Sequence, residues 1–528
     1  MQLGSWGITE TSEARYAQIS KEMVQNQDYL NPTLLGIKHY HKPVITYYIT
    51  AFSYELFGIS EYSSRLFLQF AIIIQLLLIY RITLLLFNTK SIAFAASLIY
   101  FSLPIVLISS RNLTTDAYLN TFVLGAIYFW LSYSKDERKI LSLYLFYILL
   151  GLGMETKGPV SLLFPLTFII TYKLSLKQHF SKKIHHLFGF AIFLVISASW
   201  YIILIIDNPF ILNYFIEDQL LSRIASNSFN RGKPFWFYLL LVPAVSLPWL
   251  FIIIFYIRSR FKQIIQQKDL DFILITSILV LTVVFSLFKT KLIMYVLPMF
   301  GFIAIVSAYI LHKAKTSQLF RYNYYIVGLG IIIVFAITLG PLFLPDFSFS
   351  LSLGLLMGIP LIVLSVYFLR KSFKVEYLRT ATLGYVLGLI TLFFGTSFIA
   401  ENESKLNSTK AVFEYVKNYL PEESTIVVYN YLMPSAQFYM DKPIITLNNG
   451  HNTVKRETQF ETDKTWKDTN IDLRTDVGMK RAAELIDKHT VFVTRTKYNL
   501  KEPIKHLISE MTSSKTFGNW IIYYNDSM

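Results

Sequence analysis

The chain has 528 residues, of which 54% are hydrophobic and 16% charged, with no cysteine and a formal net charge of +15. Soluble globular chains average about 25% charged residues, so a single soluble core is excluded and a polytopic α-helical membrane protein is expected. The absence of cysteine excludes disulfides, thiolate nucleophiles and cysteine metal sites. The positive charge does not indicate nucleic-acid binding, because membrane proteins collect Lys and Arg in their cytoplasmic loops.

The chain opens with a polar segment, ITETSEARYAQISKEMVQNQDYLNPTLLGIKHYHKPVITYY (8–48), which lacks the apolar run of a signal peptide. It gathers Glu10, Glu13, Arg15, His39, His41 and Lys42 directly before the first apolar stretch. Charge clustered beside a bilayer is costly and points to function. Apolar runs fit to cross a bilayer then fall at 62–87, 91–109, 116–133, 140–154, 158–174, 187–206, 235–257, 271–288, 292–311, 325–344, 350–369 and 379–399, which makes twelve spans.

Alternate loops differ in charge. One set (Lys90; 135–139; 173–183; 258–268; 313–321; 370–379) holds nineteen basic residues, and the other holds seven. The richer set is cytoplasmic by the positive-inside rule. Residues 1–61 and 401–528 then lie outside, as an outer loop carrying juxtamembrane helices and an extracytoplasmic domain around the helical domain 62–400. With both ends outside and no span before residue 62, a further helix upstream of the sequence is expected.

Residues 401–528 are polar and alternate helix-like with strand-like runs: a helix at 405–419, strands at 425–430, 442–447, 490–495 and 518–525, and helices near 479–488 and 502–511. This predicts a small α/β domain. The stretch 448–476 reads as a loop.

The outward loops carry most of the polar motifs: Asp116 in TTDAY, Glu155 and Lys157 in ETKGP, Asp218, Arg223 and PFWFY in the loop 207–238, and Lys289, Lys291 and Tyr295 in FKTKLIMYVLP. Lys and Arg at a dehydrated site bind phosphate. Neighbouring carboxylates can take a proton from an attacking hydroxyl. Apolar helices leave room for a lipid tail. Blander readings stand beside these. Glu13 and Arg15 fit an exposed helix pair, Asp116 a helix start after Thr115, Lys42, Lys289 and Lys291 interfacial anchors, and His185 and His186 solvated loop positions.

In order along the chain, SEARYAQISKEM (12–23), HKPVITYY (41–48), FGISEYSSRL (57–66), TTDAYLNTF (114–122), ETKGP (155–159), the 215–238 loop, SLPW (246–249) and KLIMYVLP (291–298) resemble the C-type glycosyltransferase superfamily. The likeness is strongest to its bacterial branch of aminoarabinose lipid A transferases and to protein O-mannosyltransferases, and it covers about residues 1–400. It implies inverting transfer of a sugar from a polyprenyl (undecaprenyl) phosphate donor to lipid A, a surface glycan or a protein, at the outer face of a bacterial-type plasma membrane. The acid in the first outer loop of these relatives has the pattern Asp-Glu-x-Arg-Tyr. Here it is Ser12-Glu13-Ala14-Arg15-Tyr16, with serine in the leading place.

The implied catalytic acids are Glu13, Glu10 and Asp116. The implied donor-phosphate contacts are Arg15, Lys42, Arg223, Lys289, Lys291, Tyr295 and Lys157. His41 stands where relatives carry a metal-contacting acid and, with Asp218, is the candidate ligand pair for a divalent metal. Two other classes fit less well. A transporter or flippase of lipid-linked sugars favours mid-membrane charges and internal repeats, whereas these charges lie at the outer edge and no repeat is visible. A non-catalytic assembly protein is compatible with Ser12.

Overall fold

The computed structural model describes residues 2–10, 12–179, 183–221, 232–344, 347–348, 351–450, 452–487, 489–502 and 504–525. The chain divides into two compact units, Met1–Phe67 with Thr396–Met528, and Leu68–Gly395. The first outer segment and the C-terminal domain, separate in sequence, therefore belong to one unit.

The Leu68–Gly395 unit is helical. Each of the twelve apolar runs is largely helix. Among the described residues, seven helices are long and apolar enough to cross a membrane by length and composition. The pair Phe237–Val245 and Trp249–Gln267, bent by 109°, counts as an eighth if taken as one span. Three runs are broken, each at proline. The run 91–109 stops before Pro104, 235–257 turns at Pro248, and 292–311 begins as a 3-10 helix over Ile293–Met299 that contains Pro298. Proline removes a backbone donor and clashes with the preceding turn.

Helix Phe300–Lys313 is buried on nearly every side. Small residues (Ala95, Ala96, Ala126, Ala304, Ala308) let the helices of this core approach closely. Gly384 serves the same end, since a Cβ there would lie 2.1 Å from the Trp249 ring. Buried polar groups pair across helices. Asn120 Nδ2 donates to Tyr100 Oη (2.6 Å) and Gln75 Oε1 (3.0 Å), and Trp249 Nε1 donates to Ser102 Oγ (2.7 Å). His185 and His186, expected to be solvated, bond the hydroxyls of Tyr144 and Tyr147 through their Nδ1 atoms.

The other unit contains α1 (Ser12–Asn26), a short hairpin of β1 (Thr33–Leu34) and β2 (Ile37–Lys38), α2 (Ile45–Phe57) and the first turns of α3 (Glu61–Phe87). Its sheet contains β3 (Thr425–Tyr429), β4 (Ile445–Asn448), β5 (Asn470–Asp472), β6 (Thr490–Arg495), β7 (Ser513–Phe517) and β8 (Trp520–Tyr524), in the order β5-β4-β3-β6-β8-β7. The strands β5, β4, β3 and β6 are parallel, and β8 and β7 close the edge antiparallel. Side chains alternate between two cores. Ile426, Val428, Val491 and Val493 face one, while Val427, Tyr429 and Phe492 face the other.

The expected strands at 425–430, 442–447, 490–495 and 518–525 are present, but two more exist. β7 is the polar edge strand SSKTF, with no apolar alternation to betray it, and β5 has only three residues. The stretch 448–476, expected to be a loop, also holds the helix Asn452–Glu457 and two 3-10 turns. Its polar composition hid elements whose backbone is paired locally.

Candidate active site

In the unit that holds α1, Glu13 stands in the first turn of that helix and is only 2% exposed. Arg65 Nε donates to its Oε1 (2.8 Å) and Arg65 Nη2 to its Oε2 (2.9 Å). Thr9 adds its backbone N–H (3.0 Å) and hydroxyl (2.8 Å). Arg65 is itself buried, donates to the carbonyls of Leu3, Trp6 and Gly7, and stacks 4.4 Å over the Trp6 ring. Burial alone would raise the Glu13 pKa, but Arg65 and Thr9 outweigh it and hold the carboxyl below its ordinary value. Glu13 is thus an ionised anchor for the first segment, and the exposed-pair reading of Glu13 and Arg15 does not hold.

Glu10 forms a second anchor. Its Oε1 accepts from the backbone N–H (2.9 Å) and hydroxyl (2.5 Å) of Ser435 in the first turn of helix Pro434–Met440, and its Oε2 from Tyr431 Oη (3.2 Å). A carboxylate there satisfies an orphan donor and complements the helix dipole. Burial raises its pKa, with the Ser435 bonds opposing.

The third cluster centres on Glu457. His39 and His41 follow β2, and their rings meet edge to face with centroids 4.7 Å apart. His39 Nδ1 donates to Glu457 Oε2 (2.8 Å), His41 Nε2 stands 3.3 Å from the same oxygen, and Arg15 Nη2 lies 3.2 Å from Oε1. Burial lowers both imidazoles, His41 to about 3. Burial opposes charge on Glu457 too, but the Arg15 guanidinium and the hydrogen bond from His39 hold it well below its ordinary value. Two neutral imidazoles and an anionic carboxylate, with ligand atoms all within 4.8 Å of one another, are a donor set that fits a divalent ion such as zinc.

In the helical unit, Asp116 lies in the first turn of helix Thr115–Lys135, and Lys157 closes helix Ile140–Lys157. Lys157 Nζ bonds Asp116 Oδ1, and both side chains are at least nine-tenths buried. The same ammonium lies 4.5 Å over the ring of Tyr295, from the 3-10 turn Ile293–Met299. That turn is clamped by Tyr238, whose hydroxyl donates to the Leu292 carbonyl (2.9 Å) and accepts from its N–H (3.2 Å). Lys291 is buried and donates to the carbonyls of Lys233 (3.1 Å) and Phe288. A carboxylate, a cation and an aromatic face, drawn from three helical segments, make a compact site able to exchange a proton and meet an anion.

Residues 41–202 match the dolichyl-phosphate-mannose-protein mannosyltransferase family. Among curated proteins, the undecaprenyl phosphate-alpha-4-amino-4-deoxy-L-arabinose arabinosyl transferase of Photorhabdus laumondii is 28% identical over 309 residues, which are 57% of this chain and 55% of that protein. The transferase of the same name from Aeromonas hydrophila is 29% identical over 328 residues, covering 60% and 59%. The matched stretch thus spans little more than half the length of these relatives. Among solved structures, ArnT from Cupriavidus metallidurans bound to undecaprenyl phosphate superimposes with a TM-score of 0.79 at 17% identity, covering 99% of this chain and 95% of that one. The chain shares the fold of that protein. The apo form of the same ArnT gives 0.75.

The matched family region contains His41, Lys42, Asp116 and Lys157, but ends before Arg223 and Tyr295. Asp116, Lys157 and Tyr295, chosen separately from the sequence, come together. Glu10, Glu13, Arg15 and His41 share the other unit, where Glu10 meets Ser435, Glu13 meets Arg65, and Arg15 and His41 both meet Glu457. Lys42 is half-buried just before α2, and Lys289 is exposed. Arg223 lies outside the described residues. Asp218 lies in the π-helical turn Tyr214–Leu221, with its side chain outside them.

Sequence reasoning missed Glu457 as the hub of the histidine cluster and Arg65 as the partner of Glu13. Nothing local signals Glu457, which lies 418 residues from His39. Arg65 had a weak signal, as an arginine on the helix that goes on to become an apolar span.

Proposed function

We propose that this chain is a glycosyltransferase that moves a sugar from a polyprenyl phosphate donor to an acceptor outside the membrane, such as lipid A, a surface glycan or a protein. The observation that carries this reading is the grouping of Asp116, Lys157 and Tyr295 in the helical unit. It is supported by the likeness to transferases named for undecaprenyl-phosphate-linked aminoarabinose.

The chemistry is a single displacement. The acceptor hydroxyl oxygen attacks the anomeric carbon, the carbon–oxygen bond to phosphate breaks, and polyprenyl phosphate leaves with the bonding pair. The configuration inverts. Asp116 takes the hydroxyl proton, because its bond to Lys157 uses one carboxylate oxygen and leaves the other for the acceptor. Lys157 faces the leaving phosphate with the remaining ammonium protons, since an ammonium carries three donors. The Tyr295 ring holds Lys157 in place.

Lys289 and Arg223 are further phosphate contacts in this reading. Lys291 and Arg15, already engaged by carbonyls and by Glu457, position the turn and the first segment. Glu10 and Glu13 anchor that segment. The positive-inside pattern supports an outward-facing site.

The test is mass spectrometry of surface glycolipids and glycoproteins from a deletion strain. Loss of one sugar mass from one class of acceptor supports the reading and names both substrates. An unchanged glycan profile overturns it.

A further inference from the structure

The C-terminal sheet carries a cleft of about 570 Å³ at the carboxyl ends of β4 and β5, bounded by the 3-10 turn Thr465–Asp468 and the start of helix Asp476–Leu485. In sheets of parallel strands, the carboxyl edge is where ligands bind. The helix is set tightly against β5. A Cβ on Gly478 would meet the Asp472 carbonyl at 2.0 Å, so only glycine fits there.

Three features of the lining point to a ligand. Asn470 is 4% exposed, and its Nδ2 has no hydrogen-bond partner among the described residues. A buried amide donor without a partner is costly, and a ligand oxygen would satisfy it. Lys467, Arg474 and Arg481 also line the cleft, against the single carboxylate of Asp472. Arg474 grips that carboxylate at 2.8 and 2.7 Å, and Arg481 lies 3.7 Å from the exposed Asp468 carboxylate while donating to the carbonyls of Lys467 and Asp468, so three cations meet two carboxylates here and Lys467 has no acid partner among the described residues. Trp466 adds a half-buried aromatic face with the Lys467 ammonium 5.7 Å over its ring.

We propose that this cleft binds an acidic saccharide. The sugar ring lies on Trp466, Asn470 donates to a hydroxyl or ring oxygen, and the phosphate or other acid group meets Arg481 and Lys467. An amphipathic aromatic face with a few placed polar groups is the make-up of a small-ligand site. The choice of a saccharide rests on the glycosyl-transfer reading above, under which the ligand is part of the acceptor. The cleft and its charges are independent of that reading.

The test is ligand-observed NMR on the full chain in detergent micelles, with glucose 1-phosphate as the probe and glucose, inorganic phosphate and uridine monophosphate as comparisons. Glucose 1-phosphate is expected to bind saturably and at least about tenfold more tightly than glucose or phosphate alone, since both the ring and the charged group contribute. Arg481→Ala with Lys467→Ala, and separately Trp466→Ala, should each weaken it by about tenfold or more while the thermal unfolding midpoint stays unchanged. Absence of saturable binding, wild-type binding by both variants, or tighter binding of uridine monophosphate overturns the proposal. None of these outcomes bears on sugar transfer, which the deletion strain tests separately.

Discussion

Arg65 grips both oxygens of Glu13 through two short hydrogen bonds in a buried setting. The resemblance makes Glu13 one of three candidate acids, and the buried pair with Arg65 supports an anchoring role for it. Breaking one partner of a buried pair leaves an uncompensated charge and costs about 3–5 kcal/mol. Glu13→Gln and Arg65→Ala are therefore expected to lower the unfolding midpoint of the detergent-solubilised chain markedly. The double variant should lose less than the sum of the two. A Glu13→Gln protein with an unchanged midpoint and no turnover would instead make Glu13 catalytic.

Glu10 predicts an opposite kind of effect. Its carboxyl is raised above the ordinary value by burial. A raised carboxyl contributes stability that is fully present below its unfolded pKa and is lost as pH rises through the folded one. Glu10→Gln keeps an acceptor for Ser435 but removes the buried charge. The variant should gain stability relative to wild type at pH 8, with the gap closing toward pH 5. Thermal unfolding across that range measures it. A gap that widens toward acid pH contradicts the burial argument.

The sequence made some of this legible. The helical unit was readable because each span is a long apolar run, and its three breaks coincide with prolines 104, 248 and 298. Asp116, Lys157 and Tyr295 could be chosen because polar groups at the ends of apolar helices are conspicuous. The Glu457 cluster was not readable, since it joins segments more than 400 residues apart through a stretch with no apolar period. Edge strand β7 escaped for a related reason. Its side chains are mostly exposed, so no alternation marks it.

His39, His41 and Glu457 make a prediction of their own. The donor set fits one divalent ion, so the purified chain should carry close to one equivalent of zinc by elemental analysis. His39→Ala with His41→Ala should reduce that to background. A wild-type chain that stays metal-free after incubation with zinc and gel filtration would assign the cluster to salt-bridging alone, with Arg15 as the partner of Glu457.

Tyr295 separates packing from chemistry in the helical unit. Its ring, not its hydroxyl, faces Lys157. Tyr295→Phe should therefore retain most activity, whereas Tyr295→Leu should lose the cation–π contact, worth about 0.5–2 kcal/mol, and slow transfer by roughly two- to thirtyfold. Equal loss in both variants would point to the hydroxyl instead.

The most direct test of the central claim is complementation of the deletion strain, read by mass spectrometry of its surface glycans at matched membrane levels of each variant. The wild-type chain should restore the lost sugar mass, while Asp116→Asn and Lys157→Ala should restore none. Full restoration by Asp116→Asn would contradict the assignment of Asp116 as the group that takes the acceptor proton.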